Sequence, residues 1–341
     1  MSVETSTYRS RAPVRISFGG GGTDVPPYCD EKGGCVLNAA IGKYNYGSAK
    51  WREDGKIVIE SADYVESLLY HNTKEMEYDN KLDLVKAVIK KMNNSGRGVD
   101  VYVRSEIAPK SGLGSSASAF VALIGMFDRM NDGKMEREKI AEMAVRLERE
   151  ELGNFGGKQD QYAAAIGGIN FLEFEEGGKV KVEKVRIRTS HVLELEKSLI
   201  LVNAAERVAS GDIITDQMQR YKKKEGSTEG ALDRTKEIAK EARRALEKGD
   251  LEEFASLLDE AWKSKKKFSP LITNSKIDGI YEAAKKAGAL GGKISGAGGG
   301  GHMFFYCEAN KEHKVAEKMR SLGLVPEGVK FDFEGLRTWE I

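Results

Sequence analysis

The sequence predicts an α+β chain long enough for two domains. Three observations predict it. The 341 residues exceed the usual span of one hydrophobic core. Short runs alternate apolar and polar residues, as in Val14, Ile16 and Phe18 or Val99, Val101 and Val103, and period two is the strand pattern. Other stretches repeat apolar residues at helical spacing, as in Leu84, Val85, Val88, Ile89 and Met92.

In chain order, strands are expected at 14–18, 36–46 and 56–61, a helix at 82–94 and a strand at 99–105. An apolar helix runs to about Met130, a charged one covers 135–152, and a short one covers 157–166. Gly167-Gly168 and Gly177-Gly178 punctuate a hairpin, 169–175 with 179–188. A second region begins near 195 with a strand at Leu199–Val202, then helices at 210–224, 229–247 and 251–266. Asp250 with Glu253 fits a capping box for the last of these. A helix at 275–286, strands at 293–297 and 302–307, a helix at 310–321 and a strand at 329–333 complete the chain. We divide it into domains at 1–192 and 193–341, with no Pro/Gly/Ser linker at the join.

Composition narrows the function. Lys plus Arg is 54 against 53 for Asp plus Glu, so the net charge is +1. That balance argues against a nucleic-acid footprint over the whole surface and against a polybasic membrane face. No apolar run approaches the ~18 residues of a membrane span. The polar first residues lack an apolar signal core, so a cytoplasmic location is expected. Three cysteines, Cys29, Cys35 and Cys307, with no CxxC pair, fit reduced thiols there.

Glycine carries the functional signal: 38 residues, concentrated in clusters. Pro109-Lys110-Ser111-Gly112-Leu113-Gly114-Ser115-Ser116-Ala117-Ser118 leads into an apolar helix. Glycines let backbone N–H groups approach a ligand, and a helix start adds unpaired N–H groups and the positive dipole end. Together they make a phosphate site. The Walker pattern GxxxxGK[ST] is absent, and Gly156-Gly157-Lys158 is followed by Gln159 where a hydroxyl should stand. Gly296 to Gly301 spells GxGxxG, but a strand rather than a helix is expected after it, which disfavours a nicotinamide oxidoreductase. Small residues from Gly292 to Gly301 fit a hairpin tip pressed on another loop or a ligand.

Arg15 alternates with apolar residues on its strand, so it is either a structural ion pair or the stabiliser of a transferring phosphoryl group. Asp24, after Gly19 to Gly22 and Thr23, is either a turn residue or an acceptor for sugar hydroxyls. Asp160 lies beside the apolar run Tyr162 to Ala165 and needs a partner or a role. The run Lys263 to Lys267 reads as a solvated helix end, with phosphate binding as the alternative.

Three segments together resemble the GHMP kinases: Pro109-x-x-x-Gly-Leu-Gly-Ser-Ser-Ala117, Lys293-x-Ser-Gly-Ala-Gly-x-Gly-Gly301, and Ala12-Pro13-Val14-Arg15 with Thr23-Asp24. Their order and distances match over essentially the whole chain. The resemblance implies a ribosomal-protein-S5-like N-terminal domain, a ferredoxin-like C-terminal domain and an active site between them. It implies ATP held by Pro109, Gly112, Leu113, Gly114, Ser115, Ser116 and Ala117. Mg²⁺ would be held by Ser116 and Glu148, the latter five residues before Gly153, with Ser115 as the second choice of hydroxyl. Asp160 and Arg15 take the catalytic places.

Gly19-Gly20-Gly21-Gly22-Thr23-Asp24-Val25-Pro26-Pro27-Tyr28 and Gly156-Gly157-Lys158-Gln159-Asp160-Gln161-Tyr162 resemble the heptose 7-phosphate kinase branch of that family. That implies phosphorylation of the anomeric hydroxyl of a heptose 7-phosphate, with Gly20, Gly21, Thr23, Asp24, Lys158 and Arg207 as acceptor-binding residues. The expected partners are a small sugar phosphate and ATP, with no nucleic acid and no membrane; a homo-oligomer is left open. The alternatives are a kinase for another sugar, fucose- or galactose-like, and a non-catalytic nucleotide- or sugar-binding regulator.

Overall fold

The computed structural model describes residues 6–205 and 210–341. Arg207 lies outside the described residues. The first part of the chain forms β1 (Tyr8–Gly19), α1 (Tyr28–Lys32), β2 (Gly34–Arg52), β3 (Ile57–Ser61), β4 (Glu66–Tyr70), α2 (Asp83–Met92), β5 (Gly98–Ser105) and α3 (Ser115–Met130). Next come α4 (Arg137–Arg146), continued by a π-helical turn (Leu147–Glu151), then α5 (Gln159–Ile166), β6 (Ile169–Phe174) and β7 (Val180–Lys184). The rest forms α6 (Thr189–Ser198), β8 (Leu199–Ala205), α7 (Ser210–Lys222), α8 (Thr228–Lys248), α9 (Leu251–Lys265), α10 (Ser275–Ala287), β9 (Ala289–Ile294), β10 (Gly301–Cys307), α11 (Glu312–Ser321), β11 (Pro326–Gly328) and β12 (Arg337–Glu340).

Two sheets result, and the α+β class is borne out. The first runs β12-β1-β2-β5-β3-β4, with β6 paired to β2 and β7 to β6. The 19-residue β2 serves two partners on one edge: Gly34–Ala39 pairs with β6, and Asn45–Arg52 pairs with β5. The edge between those two stretches is taken by a late segment of the chain, Gly42 N donating to Lys330 O at 2.8 Å and Asp332 N to Ala40 O at 3.0 Å, while Asn45 Nδ2 donates to the Ser115 carbonyl at the start of α3 at 3.1 Å. The second sheet is antiparallel, β11-β8-β10-β9.

A shared core locks the two sheets together. Val14, Ile16 and Phe18 of β1 pack with Phe254 of α9, Ala239 and Ala242 of α8, and Phe304 of β10. Phe18 meets Phe254 edge-on at 5.1 Å between ring centroids and Phe304 at 5.9 Å. Aromatic pairs in this geometry add to the burial term, and truncating so enclosed a ring costs about 3–5 kcal/mol. The glycine turn after Phe18 is therefore held on a fixed wall. Among the described residues no helix is long and apolar enough to cross a membrane.

Several expected elements moved. The strand expected at 329–333 is not one: Phe331 makes a single bridge to Ile41, while 326–328 and 337–340 carry the ladders. Val329 and Phe331 alternate because both enter the shared core, which the pattern alone does not separate from pairing. The strand expected at 293–297 ends at Ile294, because Ser295 to Ala297 leave the sheet to meet the phosphate loop. Unexpected were α6, where only Leu195 and Ser198 are buried, and β4, whose apolar residues follow no clean alternation. Asp250 caps α9 as expected, accepting from Glu253 N at 2.9 Å.

Candidate active site

Residues 110–117 form a loop ending on α3. Gly112 and Gly114 both have φ of +80°, a conformation that disfavours side-chain-bearing residues. A Cβ on Gly112 would lie 2.8 Å from Ser295 O, and one on Gly114 would lie 3.0 Å from Asp160 Oδ2. Glycine is therefore required at both positions by neighbours from distant segments. No side chain caps the N-terminus of α3. Its first N–H groups face the cleft with the positive end of a 16-residue helix dipole behind them. That combination attracts an anion. Leu113 is fully buried and anchors the loop in the shared core rather than touching the cleft.

The hairpin tip at 295–301 presses on this loop, as its small residues predict. His302 N donates to Ser111 O at 2.9 Å, and His302 Nδ1 lies 2.9 Å from the same carbonyl. A carbonyl only accepts, so the imidazole proton sits on Nδ1. Burial pushes the His302 pKa down.

Arg15 is the hub. Its Nε and Nη2 donate to Asp160 Oδ1 and Oδ2, both at 2.7 Å, a bidentate pair. Its Nη1 donates to Gly112 O at 2.8 Å and to Ser295 Oγ at 3.2 Å. Its backbone N donates to Leu113 O at 3.0 Å. One side chain thus ties together four segments, including all three glycine-rich ones. The Arg15 side chain is 4% exposed and that of Asp160 23%, so the carboxylate is the partner that reaches the cleft.

Glu148 sits on the π-helical turn, a widened turn of the kind that re-aims side chains at functional sites. Ser116 Oγ donates to its Oε1 at 2.7 Å, and Gln161 Nε2 donates to its Oε2 at 2.6 Å. Desolvation by burial is the largest influence on Glu148 and raises its pKa. Ser115 is differently employed: its hydroxyl and carbonyl face Asn45. Of the two serines, Ser116 is the one beside an acid.

The Asp24 side of the cleft, about 470 Å³ in all, is cut by glycine. Asp24 is buried, taking Gly22 N on Oδ1 at 3.0 Å and Gln159 N on Oδ2 at 3.3 Å. A Cβ on Gly157 would stand 1.9 Å from Asp24 Oδ2, so only glycine lets that loop close over the acid. Gly21 and Gly22 line the cleft, whereas Gly20 and Thr23 build the turn. Thr23 Oγ1 lies 2.8 Å from Gly20 O and 3.0 Å from Cys35 O, and accepts from Cys35 N at 3.1 Å.

Arg15, Asp24, Gly21, Gly112, Gly114, Ser115, Ser116, Ala117, Glu148 and Asp160 meet in this one cleft. Pro109 lies apart, lining an adjoining cavity of about 450 Å³ that shares Lys110, Ser115 and Ser116 with the cleft. Lys158 is not brought in: its Nζ lies beside the Gly178 turn, 3.6 Å from where a Cβ there would stand. Sequence reasoning missed Ser17, Gln159, Gln161, Gln217 and the individual Lys265, all cleft-lining. Polar residues with no spacing rule leave no signal. Lys265 was hidden in a run whose neighbours are surface residues, Lys263 pairing with Asp259 and Lys267 exposed.

Comparison with known proteins agrees with this geometry. The GHMP kinase N-terminal domain model matches residues 83–168, and the GHMP kinase C-terminal model matches 242–323. A D-glycero-alpha-D-manno-heptose 7-phosphate kinase of Campylobacter jejuni is 34% identical over 98% of this chain and 99% of its own. The crystal structure of a D-glycero-D-manno-heptose 1-phosphate kinase from Bacteroides thetaiotaomicron superposes with a TM-score of 0.82 at 30% identity, covering 98% of this chain and 99% of that one. A bifunctional fucokinase/GDP-fucose pyrophosphorylase of Arabidopsis thaliana is 26% identical over 96% of this chain and 32% of its own.

Proposed function

This chain belongs to the GHMP kinase family, a phosphotransferase with an alcohol group as acceptor, and on that premise we propose that it transfers the γ-phosphoryl group of ATP to the anomeric hydroxyl of D-glycero-D-manno-heptose 7-phosphate. The products are the 1,7-bisphosphate and ADP. One observation carries the reading: Asp160, clamped by Arg15, faces the uncapped start of α3 across Gly114.

The N–H groups of 112–117 hold the β- and γ-phosphates, and the adjoining cavity, walled by Leu82, Val103, Ile107 and Leu123, takes the nucleoside. Asp160 accepts the hydroxyl proton as the sugar oxygen attacks phosphorus, and ADP leaves on the opposite side. Arg15 fixes both carboxylate oxygens, so Asp160 needs no reorganisation at the moment of transfer. Asp24 accepts from a second sugar hydroxyl and sets the ring's pose.

Mg²⁺ fits Ser116 and Glu148, a hydroxyl and a carboxylate held 2.7 Å apart beside the loop. No group of three or more His, Cys, Asp or Glu among the described residues could hold a metal. Two protein oxygens completed by phosphate oxygens and water is the usual economy of Mg²⁺ at a nucleotide. When bound, the ion neutralises charge on the β- and γ-phosphates. The reading includes a cytoplasmic location, which three free, buried cysteines suit.

The test is ADP release with Mg-ATP over heptose 7-phosphate, heptose 1-phosphate, free heptose, L-fucose and D-galactose. The highest kcat/KM is expected for the 7-phosphate, with a new anomeric phosphate in the ³¹P spectrum of the product. Turnover of the 1-phosphate alone would move the reacting hydroxyl to the other end of the sugar, and preference for fucose would select the sugar-kinase alternative.

A further inference from the structure

We propose that Lys265, with Gln217 on the same wall, receives the phosphate group that the acceptor carries away from its reacting hydroxyl. The proposal rests on the acceptor being a sugar phosphate and names the residue that makes it one. It holds for either end of the sugar.

Three cations line the cleft among the described residues: Arg15, Lys110 and Lys265. Arg15 lies at the phosphate loop, bonded to Asp160, Gly112 and Ser295. Lys110 is exposed and shared with the adjoining cavity. Lys265 belongs to the acceptor half. Its Nζ lies 5.8 Å from the Phe268 ring centroid, and the Cε2 edge of that ring is 2.9 Å from where a Cβ on Gly22 would stand. Gln217 Nε2 reaches the same turn, donating to Gly22 O at 3.1 Å. A ligand with one hydroxyl at Asp160 and another at Asp24 extends from there toward this wall.

Two features suit the wall to a dianion. Lys265 is only 4% exposed, so an ion pair formed there is poorly screened. Two further cations lie near Lys265: the buried Lys293, whose Nζ donates to Ser17 O at 2.7 Å, has its pKa pushed well down, first by burial and then by Lys265 and Arg15. A phosphate monoester relieves that crowding of positive charge. Lys265 also ends α9, where a cation suits the helix dipole. That role is blind to the substrate, so the two are separable.

The experiment compares wild type, Lys265→Gln, Lys265→Arg and the exposed control Lys267→Gln on heptose 7-phosphate and free heptose. For Lys265→Gln, KM for the phosphorylated sugar is expected to rise about tenfold or more, the worth of one charge-assisted hydrogen bond, with KM for free heptose and ATP unchanged. Lys265→Arg recovers part of the loss, and Lys267→Gln changes nothing. An equal KM change on both sugars, or none, overturns the proposal. Should Lys265→Gln fail to fold, inorganic phosphate decides on wild type: competition with the sugar phosphate supports the site, and competition with ATP alone overturns it. Wild type that turns over no sugar phosphate sinks the functional reading instead.

Discussion

The two halves of the cleft are built in opposite ways. On the phosphate-loop side the reactive groups already have protein partners. Arg15 makes four side-chain hydrogen bonds, and Ser116 and Gln161 each donate to Glu148, with only Gln161 Oε1 of that chain left without a partner. On the acceptor side the walls are largely glycine, and buried polar atoms are left over: Ser17 Oγ, beside Gly21, and Gln159 Oε1, beside Asp24, have no hydrogen-bond partner. Buried polar atoms without partners are costly unless something supplies them. The chemistry is thus preorganised, whereas the acceptor half keeps hydrogen-bonding capacity for a polyhydroxylated ligand. On the proposed function, rate would belong to one half and choice of substrate to the other.

Substitutions that break one half and spare the other test that division. The largest effect is expected from Asp160→Asn, which keeps the shape but cannot take the proton: kcat falls by about 10²-fold or more while KM for ATP holds. Steady-state kinetics with both substrates varied checks it, and near-normal turnover would remove Asp160 from the chemistry. Gly157→Ala strikes the other half. Its methyl group would meet Asp24 Oδ2 at 1.9 Å, so the loop must shift. KM for the acceptor should rise about tenfold and stability fall by about 1–3 kcal/mol, the usual cost of overpacking, with KM for ATP unchanged. Equal damage to both KM values would mean the halves are mechanically one.

The smallest effect concerns the hairpin tip that braces the phosphate loop. Burial holds the His302 pKa below its ordinary value of 6.5. A depressed folded pKa contributes stability above the unfolded value, and that contribution is lost as pH falls toward the folded one. The Tm difference between wild type and His302→Gln should therefore be constant above pH 7 and shrink between about pH 6.5 and 5. A difference flat across that range would mean that the ring titrates alike in the folded and unfolded protein.

Much of the architecture was legible because it repeats. The helices expected at 82–94, 229–247 and 251–266, and the one expected to end near Met130, lie within a few residues of expectation, since each buries a regular apolar set. What failed was alternation without a ladder: 329–333 looks like a strand because Val329 and Phe331 are buried, but burial came from loops entering the shared core. In the site, residues inside glycine-rich segments were found, because glycine there answers a backbone demand that shows as a cluster. Lys158 was drawn in by its neighbours in sequence and lies by the Gly178 turn instead, while Lys265, one of four lysines between 263 and 267, was indistinguishable in sequence from the lysines around it.

Local chemistry, then, is written along the chain: the loop that cradles an anion, the start of α3, the cap on α9, and the acids and arginine worth watching all follow from short-range backbone and solvation rules. The meeting of Arg15 with Asp160, Gly112 and Ser295 does not, nor does the choice of which lysine of the 263–267 run lines the cleft. Those contacts join residues 97 to 280 positions apart. They exist only because Phe18, Phe254 and Phe304 pack two sheets into one core, and packing at such separations depends on shape rather than on any period a sequence can display.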